Sequence, residues 1–248
     1  MFAKLINYSL NKIGYELNKV KKNYSFDHIY TKYLKQNCSI IDVGANEGQS
    51  VKRFLSLFPN SKIYCFEPVK KAYDKLKTNY SKKNIHISNF ALGARFEKKF
   101  INIYKRTSNS SFNKPIKNSH WEKKKKIQFN SNNLIDQRAK IQVITLDSYL
   151  KKNSLNVVDL LKIDTQQFEE QILKGTQNSL KRNIIRFIEI EFIIGNQYRN
   201  RLNIINIEKY LIKNNFRLLG ISQSGDIINK PDLCIDLLYG NINFIKIR

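Results

Sequence analysis

Acidic residues are scarce in this sequence: 20 Asp and Glu stand against 44 Lys and Arg, a formal net charge of +24 over 248 residues. Such a deficit favours anionic partners, whether nucleic acid, acidic lipid or an acidic glycan. A general compositional bias toward Lys, Asn and Ile would produce the same surface, so charge alone names no partner. Cysteine is nearly as sparse. Cys38, Cys65 and Cys234 are scattered and odd in number, which excludes a disulfide framework and a cysteine zinc site and suggests a reducing compartment. The three histidines, His28, His86 and His120, lack metal-ligand spacing. No apolar run approaches the ~20 residues needed to cross a bilayer. Polar residues also interrupt every candidate signal core near the N-terminus. The expected location is therefore the cytoplasm. No repeat of solenoid period is present.

A length of 248 residues with 42% hydrophobic content suffices for one α/β domain with a full core. Phe2, Leu5, Ile6, Leu10, Ile13, Leu17 and Val20 fall at helical spacing with Lys4, Lys12 and Lys19 between them, an amphipathic helix. It either packs on the domain or lies on an anionic membrane surface as a peripheral contact through residues 1–20. Residues 1–36 are accordingly set apart as an N-terminal helical extension, and the main domain is expected over 37–248.

From residue 39 onward, strand-like and helix-like stretches alternate. Strands are expected at 39–43, 62–67, 84–90, 160–164, 184–191, 216–221 and 234–239. Helices are expected at 49–58, 71–80, 147–152, 169–180 and 204–214. The last two strands flank Gly225-Asp226, which fits an antiparallel hairpin. The alternation predicts an α/β fold with a mostly parallel sheet covered on both faces. It breaks over about 97–145, read as an insertion with β-hairpin character and a solvated tip. Residues 98–140 carry twelve Lys or Arg against two acids, a net of +10.

The strongest chemical signal is Asp42-Val43-Gly44-Ala45-Asn46-Glu47-Gly48, where the first strand meets the first helix. Gly44 and Gly48 let the backbone turn sharply and approach a ligand closely. The dinucleotide pattern G-x-G-x-x-G is absent, since positions 46 and 49 are Asn and Gln, and so is the Gly-Lys-Ser/Thr of a P-loop. What remains is an acidic D-x-G-x-x-x-G turn at the carboxyl ends of the strands, where such sheets bind ligands. Its carboxylate suits a cationic ligand such as S-adenosylmethionine. Glu67 ends the second strand, where an acid can accept hydrogen bonds from both ribose hydroxyls. Either acid alone reads as a cap or a surface carboxylate. Both together, with the glycines between, point to a nucleotide-type ligand.

The sequence here resembles the FkbM family of methyltransferases. The resemblance rests on I-D-V-G-A-N-E-G at 41–48, C-F-E-P at 65–68, N-F-A-L-G at 89–93, S-N-S-S-F at 108–112 and V-I-T-L-D at 143–147. It continues through L-K-I-D-T-Q-Q-F-E-E-Q-I-L-K-G at 161–175, I-E-I-E-F at 188–192 and Y-L-I-K-N-N-F-R-L at 210–218. The resemblance implies a Rossmann-like class I methyltransferase fold, with a seven-stranded, mostly parallel sheet, a C-terminal antiparallel hairpin and a β-rich insertion. It also implies S-adenosylmethionine as donor and transfer to an oxygen, typically a sugar or natural-product hydroxyl. Asp42, Gly44, Asn46, Gly48, Glu67, Pro68, Ala91 and Leu92 are then the expected donor contacts.

Asp164 and Glu189 end the fourth and fifth strands and are the catalytic candidates. Asp164 is open to three roles: general base for the acceptor hydroxyl, divalent-metal ligand, or partner of the donor's amino group. Ser110, Ser111 and His120 are candidate acceptor contacts. One departure stands out: the family's usual Asp-x-Gln-Gly-x-Glu appears as Asp164-Thr165-Gln166-Gln167-Phe168-Glu169. If the replaced glycine has positive φ, Gln167 costs about 1–2 kcal/mol there. Two other readings stand beside sugar O-methylation. A nucleic-acid methyltransferase would suit the charge, but no Asn/Asp-Pro-Pro-aromatic motif or appended RNA-binding module is present. A non-catalytic donor-binding protein is the other.

Overall fold

The computed structural model describes residues 25–199, 202–222 and 234–245. The amphipathic stripe at 2–20 and the turn at Gly225-Asp226 lie outside them. A short helix α1 (Asp27–Tyr33) precedes strand β1 (Ser39–Val43), helix α2 (Gln49–Leu57), β2 (Lys62–Phe66), α3 (Lys70–Asn79) and β3 (Ile85–Ser88). The chain continues through β4 (Ala91–Leu92), β5 (Glu97–Tyr104), α4 (His120–Gln128), β6 (Ile135–Ile144), α5 (Leu146–Lys152) and β7 (Val158–Ile163). Then follow α6 (Glu169–Lys174), α7 (Gln177–Lys181), β8 (Ile185–Ile193), α8 (Ile204–Leu211), β9 (Phe216–Ile221) and β10 (Cys234–Asn241).

Seven strands form the main sheet in the order β3-β2-β1-β7-β8-β10-β9. The first five run parallel, and β10 pairs antiparallel with both β8 and β9. This is the expected sheet with its antiparallel close. Alternation along each strand distributes side chains to two cores. Ile41 and Leu161 face a core with Leu150 of α5, Ile172 of α6 and Ile207 of α8. Ile40 and Leu160 face the other, with Tyr30 of α1, Phe54 of α2 and Leu76 of α3. Both faces are covered, which is why β7 reads as an almost unbroken apolar run. The order reverses beside β1, and the crevice there opens at the carboxyl ends of β1 and β7.

Two expectations need correction. The stretch 169–180 is not one helix but two, α6 and α7, broken at Gly175-Thr176. A β-carbon at Gly175 would sit 1.9 Å from the Gly93 carbonyl oxygen, so this backbone is pressed against the loop after β4. The insertion does contain an antiparallel ribbon, β5 with β6, and its largely exposed tip carries a helix, α4, where no periodic segment was expected. Ser119 caps α4 by accepting from the Glu122 backbone N–H at 3.1 Å. That Ser-x-x-Glu signature was present in the sequence. Trp121 anchors the helix, buried beside Tyr104 at 5.9 Å between ring centroids. On its inner face the ribbon packs Ile101 and Ile103 against Val69 and Ala72 near the start of α3.

Candidate functional site

The turn after β1 is held by steric necessity. Gly44 has φ +85°, and a β-carbon there would lie 1.9 Å from the Asp164 carbonyl oxygen, so the β1 and β7 ends meet with no room for a side chain. Gly48 begins α2 with φ +100°, against the Tyr80 ring and Leu76. Asn46 between them also has positive φ, at +46°. Glu67 fixes this turn from β2: its two carboxylate oxygens accept from the Asn46 and Val69 backbone N–H groups, each at 2.8 Å. Burial pushes the Glu67 carboxyl up to about 7, against the pull of those two hydrogen bonds.

A cavity of about 700 Å³ opens over these strand ends. Gly44, Asn46, Glu67, Pro68, Ala91 and Leu92 line one end, and Asp164, Glu189 and Ser110 are also on its wall. Asp42, Gly48, Ser111 and His120 are not among the lining residues. Asp42 is fully buried and accepts from the Ser50 hydroxyl. Burial raises its pKa, and the Lys162 ammonium opposes the rise. Ser111 donates to the Gln166 carbonyl at 2.6 Å, and the Ser110 hydroxyl accepts from the Tyr104 N–H at 3.3 Å. His120 is exposed at the start of α4.

The floor is a row of charge across three adjacent strands. Asp42 on β1, Lys162 on β7 and Glu189 on β8 are register partners, so parallel pairing puts all three on one face. Lys162 donates to Asp164 Oδ2 at 2.9 Å. Burial works against its charge, but the carboxylates of Asp164, Asp42 and Glu189 outweigh burial and raise its pKa. Glu189 accepts from Tyr30 Oη at 2.5 Å and from Arg53 Nη1 at 2.9 Å, so α1 and α2 both hold it.

Asp164 is enclosed, yet its side chain keeps 35% of its surface accessible. Burial would raise its pKa, but the Lys162 charge and hydrogen bonds from Lys162, Glu191 and Gln166 hold it below the usual carboxylate range. Glu191 behaves oppositely. Burial, then the charges of Asp164 and Glu169, push it well above its ordinary value. Within the pair, Asp164 is therefore the stronger acid and Glu191 the one that holds its proton to higher pH.

The loop after β7 contains two consecutive residues with positive φ, Gln166 at +55° and Gln167 at +75°. Glu169 gathers this loop, accepting through Oε1 from the Thr165 N–H at 2.9 Å and the Gln167 N–H at 3.2 Å. Gln167 is anchored by its own side chain, which accepts from the Leu202 N–H and donates to the Ile193 carbonyl at 3.3 Å.

Beside Lys162, four site residues were missed in the sequence. Glu191 sits two places beyond Glu189, and strand alternation alone cannot say which acid faces the ligand. Trp121 and Gln197 line the cavity from α4 and from the loop after β8. Asn109 lines it too, and its side-chain Nδ2 is buried with no hydrogen-bond partner. Asn109 and Glu191 had a signal, lying inside S-N-S-S-F and I-E-I-E-F. Among the described residues no group of three or more His, Cys, Asp or Glu could hold a metal ion.

Comparison with known proteins identifies the family and the fold. The family model of the methyltransferase FkbM domain matches residues 42–218. A 2-O-methyltransferase, NoeI of Sinorhizobium fredii (strain NBRC 101917 / NGR234), is 25% identical over 171 residues, spanning 66% of this chain and 66% of that relative. The match thus covers just under two thirds of the relative's length. Among solved structures, an assigned rRNA methylase of Clostridium thermocellum superposes with a TM-score of 0.50 at 9% identity, covering 90% of this chain and 97% of that one. An rRNA methylase of Streptococcus thermophilus gives 0.48 at 12% identity, covering 90% and 99%. At such identities the likeness to solved structures is one of fold.

Proposed function

The chain belongs to the FkbM family of S-adenosylmethionine-dependent methyltransferases, and from that premise we propose that it transfers a methyl group to a hydroxyl of a sugar-containing acceptor. The observation that carries this reading is a single cavity in which the Gly44–Glu67 turn faces Asp164 and Glu191. The name of the Sinorhizobium relative, a 2-O-methyltransferase, supports oxygen as the target.

The residues present fit the donor. The glycine turn leaves space that a β-carbon would fill, and Glu67 keeps two acceptor sites free after binding the Asn46 and Val69 N–H groups. These two sites suit the ribose hydroxyls, and the unpartnered Asn109 amide supplies a donor nearby. When bound, S-adenosylmethionine supplies an electrophilic methyl group. The chain's own contribution is to aim the acceptor and take its proton. Asp164 accepts the hydroxyl proton as the new C–O bond forms. A weak base suffices, because the hydroxyl becomes strongly acidic only as that bond develops. Lys162 keeps Asp164 ionised beforehand, and Glu191 and Gln166 orient it. Glu189, held by Tyr30 and Arg53, positions the floor rather than moving a proton. Holding oxygen in line with the methyl carbon supplies much of the remaining rate.

The test is transfer of labelled methyl from S-adenosylmethionine into extracts of the source cell, with identification of the product. A labelled sugar bearing a methyl ether supports the proposal. Label confined to RNA, or no turnover by protein that binds the donor, would sink it.

A further inference from the structure

We propose that the outer face of the β5–β6 ribbon docks on an anionic membrane surface. Phe96 and Phe100 enter the headgroup layer there, while Lys98, Arg138 and Lys140 meet the lipid phosphates. The proposal stands apart from the acceptor's identity, because membrane binding is read without turnover.

Alternation along β5 sets the face. Ile101 and Ile103 point inward, onto Val69 and Ala72, so Lys98 and Phe100 point the other way. Antiparallel register places Gln142 opposite Lys98, Lys140 opposite Phe100 and Arg138 opposite Asn102, on that same outer face. Lys98, Phe100, Arg138, Lys140 and Gln142 are all exposed. At the far end the face is covered, where Trp121 of α4 packs against Tyr104. The near end is left open. Phe96, in the turn that enters β5, is 66% exposed, and Phe100 is 51% exposed. They are the two most exposed aromatic side chains among the described residues. Holding two phenyl rings in water is unfavourable, and such a patch marks a surface that something else covers.

Charge decides what covers it. Glu97, the acid of β5, has inward parity and pairs with Arg95 at 3.5 Å. Asp136 of β6 sits at the covered end, beside the Ile135–Tyr104 pair. Among the described residues no acid pairs with Lys98, Arg138 or Lys140. Arg138 instead holds its guanidinium 5.2 Å from the Phe100 ring centroid, a cation–π contact. Rings flanked by unpaired cations match an acidic bilayer, whose phosphates lie just above an apolar layer. A second copy of a chain with net charge +24 would set these cations against one another, which opposes self-association through this face. Single-stranded nucleic acid needs successive stacking platforms along a basic groove. Here both rings belong to one segment, 96–100, and the facing β6 positions carry Gln142, Lys140 and Arg138 but no aromatic.

The ribbon's inner side belongs to the site, since Ile101 lines the cavity. Docking by the outer face therefore holds the cavity one ribbon's thickness from the lipid.

The full chain is mixed with equimolar phosphatidylglycerol–phosphatidylcholine vesicles and with pure phosphatidylcholine vesicles, and bound protein is measured by sedimentation. It should bind the acidic vesicles at least tenfold more tightly than the neutral ones, and added salt should weaken that binding. Each cation near an acidic surface is worth about fivefold in partitioning. The Lys98→Ser, Lys140→Ser double variant should therefore bind about twentyfold more weakly, and Phe96→Ser, Phe100→Ser at least tenfold more weakly. All four side chains are exposed, and circular dichroism checks that both variants are folded. The amphipathic pattern at 2–20 is intact in every variant, so a loss belongs to the ribbon. Depth is read in Phe100→Trp, whose added fluorescence brominated acyl chains should quench. Trp121, 4% exposed, supplies the wild-type background. No binding to acidic vesicles, or equal binding to neutral ones, overturns the proposal. Binding that survives in the phenylalanine double variant overturns it too, and assigns membrane contact to another segment. Single-stranded RNA binding lost in that variant, or a solution dimer that it dissociates, would give the face to a different partner.

Discussion

Lys162 Nζ lies 2.9 Å from Asp164 Oδ2, two positions further along the same chain at the end of β7. Lys162 belongs to the strand, in register with Asp42 and Glu189, whereas Asp164 lies just past it. The ammonium thus balances the buried floor and at the same time keeps the candidate base ionised. A strand interior is an unusual place for lysine. Here three carboxylates account for it.

The first prediction separates the two acids of the pair. Asp164→Asn should lower kcat by about 10²–10⁴-fold, the usual worth of a positioned base, with donor affinity within about tenfold. Glu191→Gln should cost far less, because the amide still donates to Asp164. The pH profile provides the sharper readout. Burial and the Asp164 charge raise the Glu191 pKa well above its ordinary value, so its ionisation toward higher pH puts a second negative charge beside Asp164. Wild-type kcat should therefore fall on the alkaline side, and Glu191→Gln should remove that fall. An unchanged alkaline limb in the variant would take Glu191 out of the mechanism.

Glu67 gives a prediction about donor binding. Its carboxyl, pushed up to about 7 by burial, is partly protonated near neutral pH, whereas the ribose hydroxyls need the ionised form. The sign follows directly. Donor affinity should rise with pH through 7, being about tenfold weaker at pH 6 than at pH 8, and binding should release a proton near neutrality. Calorimetry in buffers of different ionisation enthalpy measures that proton. Glu67→Gln should bind more weakly by about 1.5–3 kcal/mol and lose the pH dependence. A Glu67→Gln variant that retains the wild-type pH dependence assigns the titration to another group.

How much of this could be read in the sequence differs by element. The main sheet was legible because each strand, buried on both faces, is a short apolar run between turn signals, as at 39–43 and 160–164. Asp164, Glu67 and the glycine turn were legible because they sit where those runs end. The insertion was not. Its helix α4 carries Trp121 but four consecutive lysines beside it, so no apolar stripe marks it, and its stability rests on one capped end and one buried ring. Glu189 and Glu191 could not be ranked for a different reason. Both line the cavity, and only the partners Tyr30 and Arg53, more than 130 residues away in sequence, show that Glu189 is already committed. The break between α6 and α7 depends on contact with Gly93, which periodicity along one segment cannot reveal.

The last prediction concerns Gln167, which stands where the family pattern has glycine. The conditional expectation about its backbone is met, since its φ is +75°. In that conformation a side chain costs about 1–2 kcal/mol. What it gains is equally local: the amide accepts from the Leu202 N–H and donates to the Ile193 carbonyl, tying both ends of the stretch that carries Gln197. Gln167→Gly would relieve the strain but leave the buried Leu202 N–H without its partner, a loss of about 1–3 kcal/mol, and would add the entropy cost of glycine. The net expectation is a loss of about 1–2 kcal/mol. Gln167→Ala keeps the strain and loses both hydrogen bonds, so it should be the less stable variant. Denaturant melts should therefore rank wild type above Gly and Gly above Ala. Because Gln197 lines the cavity away from the glycine turn in sequence, the proposed function predicts that Gln167→Gly raises acceptor KM several-fold with donor affinity within about twofold. If glycine proves more stable than wild type and KM is unchanged, the side chain contributes nothing to the loop, and strain alone describes the position.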